Sequence, residues 1–189
     1  MPILSGSRFN AYNQLSVVTL MMVLGFNIND ILKNMSKLKI AETRYEKIKL
    51  KNNKYLIKHL TKGQNPLACS NVFDFVRNYE GKKNVILMLD DKSDNEEGVE
   101  VILWHYDADY EFLNDDSIER IIIIGPRSKD IYVRSLLAGI DSNKLFVFEN
   151  QKDAHNYITT EGIDTLFLLN DMYIEKEASQ LKEYIIETF

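Results

Sequence analysis

The side chains best equipped for chemistry in this 189-residue sequence are Asp90-Asp91, His105, Asp107 and the single cysteine, Cys69. Adjacent carboxylates such as Asp90-Asp91 can hold a hard cation, but no third ligand is evident, and they read as turn residues. His105 follows Trp104 with no nucleophile beside it, so it reads as a half-buried strand residue rather than an acid–base group. Cys69 falls on the apolar face of an expected helix and reads as core. One cysteine excludes an internal disulfide and a multi-cysteine zinc site. Asp107, taken alone, reads as a helix cap or turn aspartate. Neither G-x-x-x-x-G-K-[ST] nor G-x-G-x-x-G occurs, so no phosphate-cradling loop is written in the chain.

The elements that must position these residues fall into two rhythms. Asn10 to Leu24 predicts a helix apolar nearly all round, hence buried, with Gly25 as its C-cap. Ile28–Leu38 predicts a second helix, and Thr43–Leu50 and Tyr55–Leu60 predict a hairpin turning at Lys51-Asn52-Asn53-Lys54. From Asn65-Pro66, an N-cap followed by proline, strands and helices alternate. Strands are expected at 84–89, 99–106, 120–124, 144–148 and 165–169. Helices are expected after Pro66, from Ser128 (as cap) to Ala138, at 152–158 and at 172–186, with a short one near 107–113. Four consecutive isoleucines, Ile121–Ile124, mark a strand buried on both faces. The expected fold is α/β: a Rossmann-like, mostly parallel sheet with helices on both faces, preceded by a helical segment and a β-hairpin. Ligands of such sheets bind beyond the C-terminal strand ends, which nominates Asp90, Asp91, Gly125, Arg127, Ser128 and Asn170. Arg127 and Arg134 read as covers of the sheet edge.

Net charge is −5, which gives no electrostatic case for nucleic acid or an anionic membrane. Residues 33–62 carry ten Lys or Arg against Glu42 and Glu46, and residues 90–119 carry twelve acids against Lys92. Solvated faces explain most of this; a basic side for phosphate and an acidic side for a partner is the functional alternative. Leu15–Leu24 is about half a membrane span, and no signal peptide opens the chain. A cytoplasmic protein without membrane insertion is expected.

Three stretches resemble the Mur ligases, and among them the MurT kind. Phe9-Asn10-Ala11-Tyr12-Asn13 with Leu24-Gly25-Phe26 and Ile28-Asn29-Asp30-Ile31 resembles the F-N-x-x-N…L-G-I…I segment closing the central ATPase domain. Arg44-Tyr45-Glu46 resembles the hinge G-R-x-E, with Thr43 in place of glycine. Asn65-Pro66-Leu67-Ala68, the strand ending Asp90-Asp91, Val101–Glu111 and Arg120–Gly139 resemble, in order, the MurT C-terminal domain.

The resemblance implies three parts: a helical remnant of the central domain at 1–42, a hinge hairpin at 43–63 and a C-terminal α/β domain at 64–189. It implies a bacterial cell-wall activity, the ATP- and glutamine-dependent amidation of the D-glutamate α-carboxylate in the lipid II stem peptide. ATP and magnesium are the implied cofactors, although the phosphate loop and the family's zinc module are missing, so the chain alone is expected to be inactive. The implied partner is a GatD-like glutaminase, whose site the MurT domain completes with an aspartate. That aspartate falls on Asp107, with Asp109 as the alternative. Asn10 and Asn13 resemble adenine contacts, Arg44 a contact near the terminal phosphates, and Asn65 the start of the domain that folds over the nucleotide. Two alternatives stand beside this reading: a non-catalytic module docking a glutaminase, and an unrelated Rossmann-like ligand-binding domain.

Overall fold

The computed structural model describes residues 8–38, 45–51, 53–61, 65–89 and 102–189, with side chains from residue 11 onward. Residues 90–101, Asp90 and Asp91 among them, and Arg44 lie outside the described residues, as does the side chain of Asn10. The chain divides into two units, Met1–Glu42 and Thr43–Phe189.

In the first unit, α1 (Arg8–Val23) is followed by α2 (Ile28–Met35), which Asn27 caps by accepting from the Asn29 N–H at 2.9 Å. Gly25, at φ 88°, closes α1 as expected. The expected burial of α1 does not hold. Val18 packs with Ile31 and Met35, while Leu15, Val17, Leu20, Val23 and Leu24 stand exposed. The physical reason is length: a helix apolar all round needs cover on several sides, and eight-residue α2 covers one.

In the second unit the hairpin β1 (Tyr45–Lys49) and β2 (Tyr55–Leu60) turns through Asn53 at φ 69°. Then come α3 (Pro66–Asn78), β3 (Lys83–Met88), a helical turn α4 (Trp104–Asp107), a 3-10 turn Tyr110–Leu113, β4 (Ile118–Ile124) and α5 (Ser128–Leu137). Next are β5 (Leu145–Phe148), α6 (Gln151–Ala154), a 3-10 turn His155–Tyr157, β6 (Thr165–Asn170) and α7 (Glu175–Thr188). One six-stranded sheet runs β1-β2-β6-β3-β4-β5, antiparallel at β1–β2 and parallel elsewhere. The hairpin is thus the edge of the same sheet.

Period-two alternation builds the two cores. Val85, Leu87, Ile121, Ile123, Phe167 and Leu169 face α3, α4 and α5; Ile86, Met88, Ile122, Ile124, Leu166 and Leu168 face α6 and α7. Register aligns the layers, with Val85 opposite both Ile121 and Phe167. Connections stepping outward from β2 to β5 carry their helices on one face, and the return from β5 to β6 crosses the other, as a single crossover hand requires.

Several local expectations are corrected. The run 99–106 is not a strand at its described end: Trp104–Asp107 is a helical turn, with His105 N–H donating to Ile102 O at 3.0 Å and Tyr106 N–H to Leu103 O at 2.9 Å. Trp104 and His105 are consecutive and both buried, which a strand with one buried face cannot arrange, so His105 is fully rather than half buried. Ser128 does not cap α5: it is the first helical residue, and its buried Oγ has no hydrogen-bond partner among the described residues. The helix expected at 152–158 is a single α-turn continued as 3-10, and the last helix begins at Glu175 after a turn closed by Asp171, whose Oδ1 accepts from the Tyr173 N–H at 2.9 Å.

Candidate functional site

Residues 102–113, in the connection from β3 to β4, fold outward and inward by turns on the sheet face that α3 and α5 cover. Leu103, Tyr106, Asp107 and Asp109 are exposed, while Trp104, His105, Ala108, Tyr110 and Leu113 are buried. Trp104 stacks on the His105 ring at 3.7 Å, His105 Nδ1 shares a hydrogen bond with Tyr110 Oη at 2.8 Å, and Tyr110 packs edge-on against Phe73 at 5.0 Å. Such aromatic contacts fix the buried side of the turn.

Two neighbouring helices hold its backbone. From α5, Arg134 Nε donates to His105 O at 3.2 Å, and one terminal nitrogen donates to Ala108 O at 2.8 Å and to both Glu111 oxygens at 3.0 and 2.8 Å. The guanidinium lies over the Tyr110 ring at 5.2 Å. From α3, Ser70 Oγ accepts from the Asp109 N–H at 2.8 Å and donates to Pro66 O at 2.8 Å.

Electrostatics separate the buried groups from the exposed ones. The hydrogen bond from Arg134 holds the Glu111 carboxyl below the usual glutamate range. Burial pushes the Tyr110 hydroxyl well up, and burial pushes the Cys69 thiol up, with Asp171 adding to it, so Cys69 stays a thiol and is core as expected. The carboxylates of Asp107 and Asp109, by contrast, make no hydrogen bond or ion pair among the described residues. They are acceptors presented to whatever meets this surface.

Most of the other sequence candidates described in this unit are engaged in contacts of their own. Asn65 spends its amide oxygen on its own helix, accepting from the Ala68 N–H at 2.9 Å. Asn13 is exposed on α1, in the other unit. Asn170 is buried and donates to Asp171 O and Glu175 Oε2, each at 2.8 Å. Arg127 pairs with Asp130 at 3.7 Å, and Gly125 adopts φ 131° beyond β4. Among the described residues no group of three or more His, Cys, Asp or Glu stands together to hold a metal, and no helix is long and apolar enough to cross a membrane. Sequence reasoning missed Arg134, which is buried rather than a cover of the sheet edge; its signal was its place between Ile131 and Ala138 on the buried face of α5.

The comparisons agree with this architecture. A family model described as MurT ligase C-terminal matches residues 60–174. Two curated relatives from Staphylococcus aureus, strains COL and N315, are each the lipid II isoglutaminyl synthase (glutamine-hydrolyzing) subunit MurT. Each is 30% identical over 133 residues, covering 70% of this chain and 29% of the relative. Among solved structures, MurF from Acinetobacter baumannii has a TM-score of 0.69 at 22% identity, covering 94% of this chain and 38% of its own. MurC from Thermotoga maritima reaches a TM-score of 0.63 at 14% identity, covering 95% of this chain and 39% of its own. MurF from the same organism, in complex with ADP, reaches 0.59 at 17%, covering 94% and 38%. At these identities the solved structures speak to the fold.

Proposed function

The chain belongs to the MurT ligase C-terminal family, and from that premise we propose that it is the part of a lipid II isoglutaminyl synthase that meets the glutaminase. Family membership removes the unrelated ligand-binding domain as an alternative. The chain spans 29% of the length of its curated relatives, so the activity of the whole is proposed for an assembly and not for these residues alone. In that reading residues 1–42 end a Mur central domain, 43–63 form its hinge and 64–189 the C-terminal domain.

The observation that carries the reading is Asp107: an exposed carboxylate without a partner among the described residues, on a turn whose backbone is held by buried groups. A GatD-like glutaminase brings a cysteine thiol and an imidazole. With Asp107 accepting the imidazole N–H remote from the thiol, the ring keeps the tautomer whose other nitrogen takes the thiol proton. The thiolate attacks the glutamine amide carbon. The imidazolium, stabilised by the carboxylate, then returns its proton to the departing nitrogen, and ammonia leaves as the thioester forms. The ammonia is destined for the activated D-glutamate α-carboxylate of the lipid II stem peptide. An ATP-dependent reaction on this precursor is expected in the cytoplasm.

Of the nucleotide contacts implied for Asn10, Asn13, Arg44 and Asn65, Arg44 and the Asn10 side chain lie outside the described residues and Asn13 and Asn65 belong to different units, so no ATP or magnesium step is derived from them. With no phosphate loop in its sequence, the chain by itself is proposed to contribute docking and a carboxylate, not carboxylate activation.

The test is co-expression with a class I glutaminase from the same genome. A stable complex with raised glutamine hydrolysis is expected, and Asp107→Asn should lower hydrolysis by about 10²- to 10⁴-fold without dissolving the complex. Joined to an ATPase half, Asp107→Asn should cut glutamine-dependent amidation and spare reaction with free ammonia. Equal loss with both nitrogen sources counts against the role, and the same loss in Asp109→Asn alone moves it to Asp109.

A further inference from the structure

We propose that Arg134 is the positioning residue for Asp107, an inference that rests on reading Asp107 as the carboxylate lent to a glutaminase. Asp107 ends a four-residue helical turn, too short to hold itself through its own backbone bonds. Its geometry must come from outside. Arg134 supplies it by bonding His105 O on one side of Asp107 and Ala108 O on the other, so one rigid guanidinium brackets residues 106 and 107.

Three features separate this from an ordinary stabilising ion pair. Arg134 is buried, where an unpaired charge would be costly, and its cost is offset by carbonyls, Glu111 and the Tyr110 ring together. Its planar fork places Nε and a terminal nitrogen on two different peptide groups, which the single ammonium of lysine cannot reproduce in the same geometry. Ser70 fixes the next amide, that of Asp109, from the opposite helix, so the turn is clamped between α3 and α5 while Tyr106, Asp107 and Asp109 are exposed. A carboxylate behind an imidazole works only within narrow limits of distance and direction, and the clamp sets both.

The test compares wild type, Arg134→Lys, Arg134→Met and Asp107→Asn in the full chain, alone and with the glutaminase. Alone, amide exchange is followed at Tyr106, Asp109 and Tyr110 and in the buried strand β4 at Ile121–Ile123. In both Arg134 variants, exchange in the turn should accelerate by about tenfold or more while the strand amides stay protected. In the complex, Arg134→Lys should lower kcat for glutamine hydrolysis by about tenfold or more and leave KM near its wild-type value. An unchanged turn, or equal acceleration in turn and strand, overturns the proposal, since Arg134 would then be irrelevant or merely structural. If Asp107→Asn lowers hydrolysis and Arg134→Lys does not, positioning fails and the glutaminase reading survives. If Asp107→Asn has no effect, that reading fails, and Arg134 is left holding a turn with no assigned task, which also overturns the proposal.

Discussion

Lys83, the first residue of β3, is buried along its whole length and donates its ammonium to the carbonyl of Val76 at 2.9 Å, so the strand caps the helix that precedes it. Arg77 O accepts at 2.9 Å and Tyr79 O accepts as well, which satisfies the last carbonyls of α3 and places a cation at the negative end of its dipole. Lys83→Met keeps the bulk and leaves the Arg77 and Tyr79 carbonyls wanting, while Val76 O keeps the Tyr79 N–H at 3.1 Å. A loss of about 2–3 kcal/mol is expected in urea denaturation, with α3 amides losing exchange protection first.

Gly81 prepares that approach. It adopts φ 84°, and a Cβ there would stand 2.6 Å from Asp164 Oδ2, the oxygen that accepts from the Lys82 N–H at 2.9 Å. Gly81→Ala should cost about 1–3 kcal/mol, combining left-handed strain with the displaced carboxylate. Gly162→Ala is the comparison: φ is 72° with nothing within 4 Å, so a smaller loss is expected from thermal melts of the two variants.

The Glu111–Arg134 pair predicts a pH dependence of definite sign. The folded-state value of Glu111 lies below its ordinary one, so its stabilisation is present above the ordinary glutamate range and lost as pH falls through the folded value. Glu111 is 54% exposed beside an 8% exposed Arg134, so solvent screening keeps the contribution under about 1 kcal/mol. The stability difference between wild type and Glu111→Gln should therefore appear at neutral pH and vanish at strongly acid pH. Urea midpoints measured across that range check it.

Cys69 should be silent. Fully buried, with its thiol pushed up by burial, it should react with an aromatic disulfide reagent at least about 1,000-fold more slowly in the folded chain than in denaturant. Fast labelling under native conditions would show that α3 does not pack as described.

Much of the fold was written in the sequence. Four isoleucines in a row need cover on both faces, and the alternation of apolar strands with Asn65-Pro66-capped and Gly-ended helices leaves few arrangements but a parallel sheet with two helical layers. These signals are local in period, so the chain displays them without its partners. The apolar run before His105 misled for the same reason. Four apolar residues in a row, Val101–Trp104, suit a strand or a buried turn equally, and the backbone hydrogen bonds from His105 and Tyr106 to Ile102 and Leu103 distinguish them.

What the sequence alone determined is the α/β layering, the core and the family to which Asp107 belongs, because these rest on residue type and spacing along the chain. The tertiary structure alone decided that Asp107 faces outward, that Arg134 reaches across from α5 to grip the peptide groups on either side of it, and that the apolar surface of α1 is left largely uncovered in its own unit. Arg134 is 27 residues from Asp107 in the sequence, and nothing periodic links them. A contact between segments that far apart is set by how helices pack on a sheet, which the order of residues specifies only through the fold it produces.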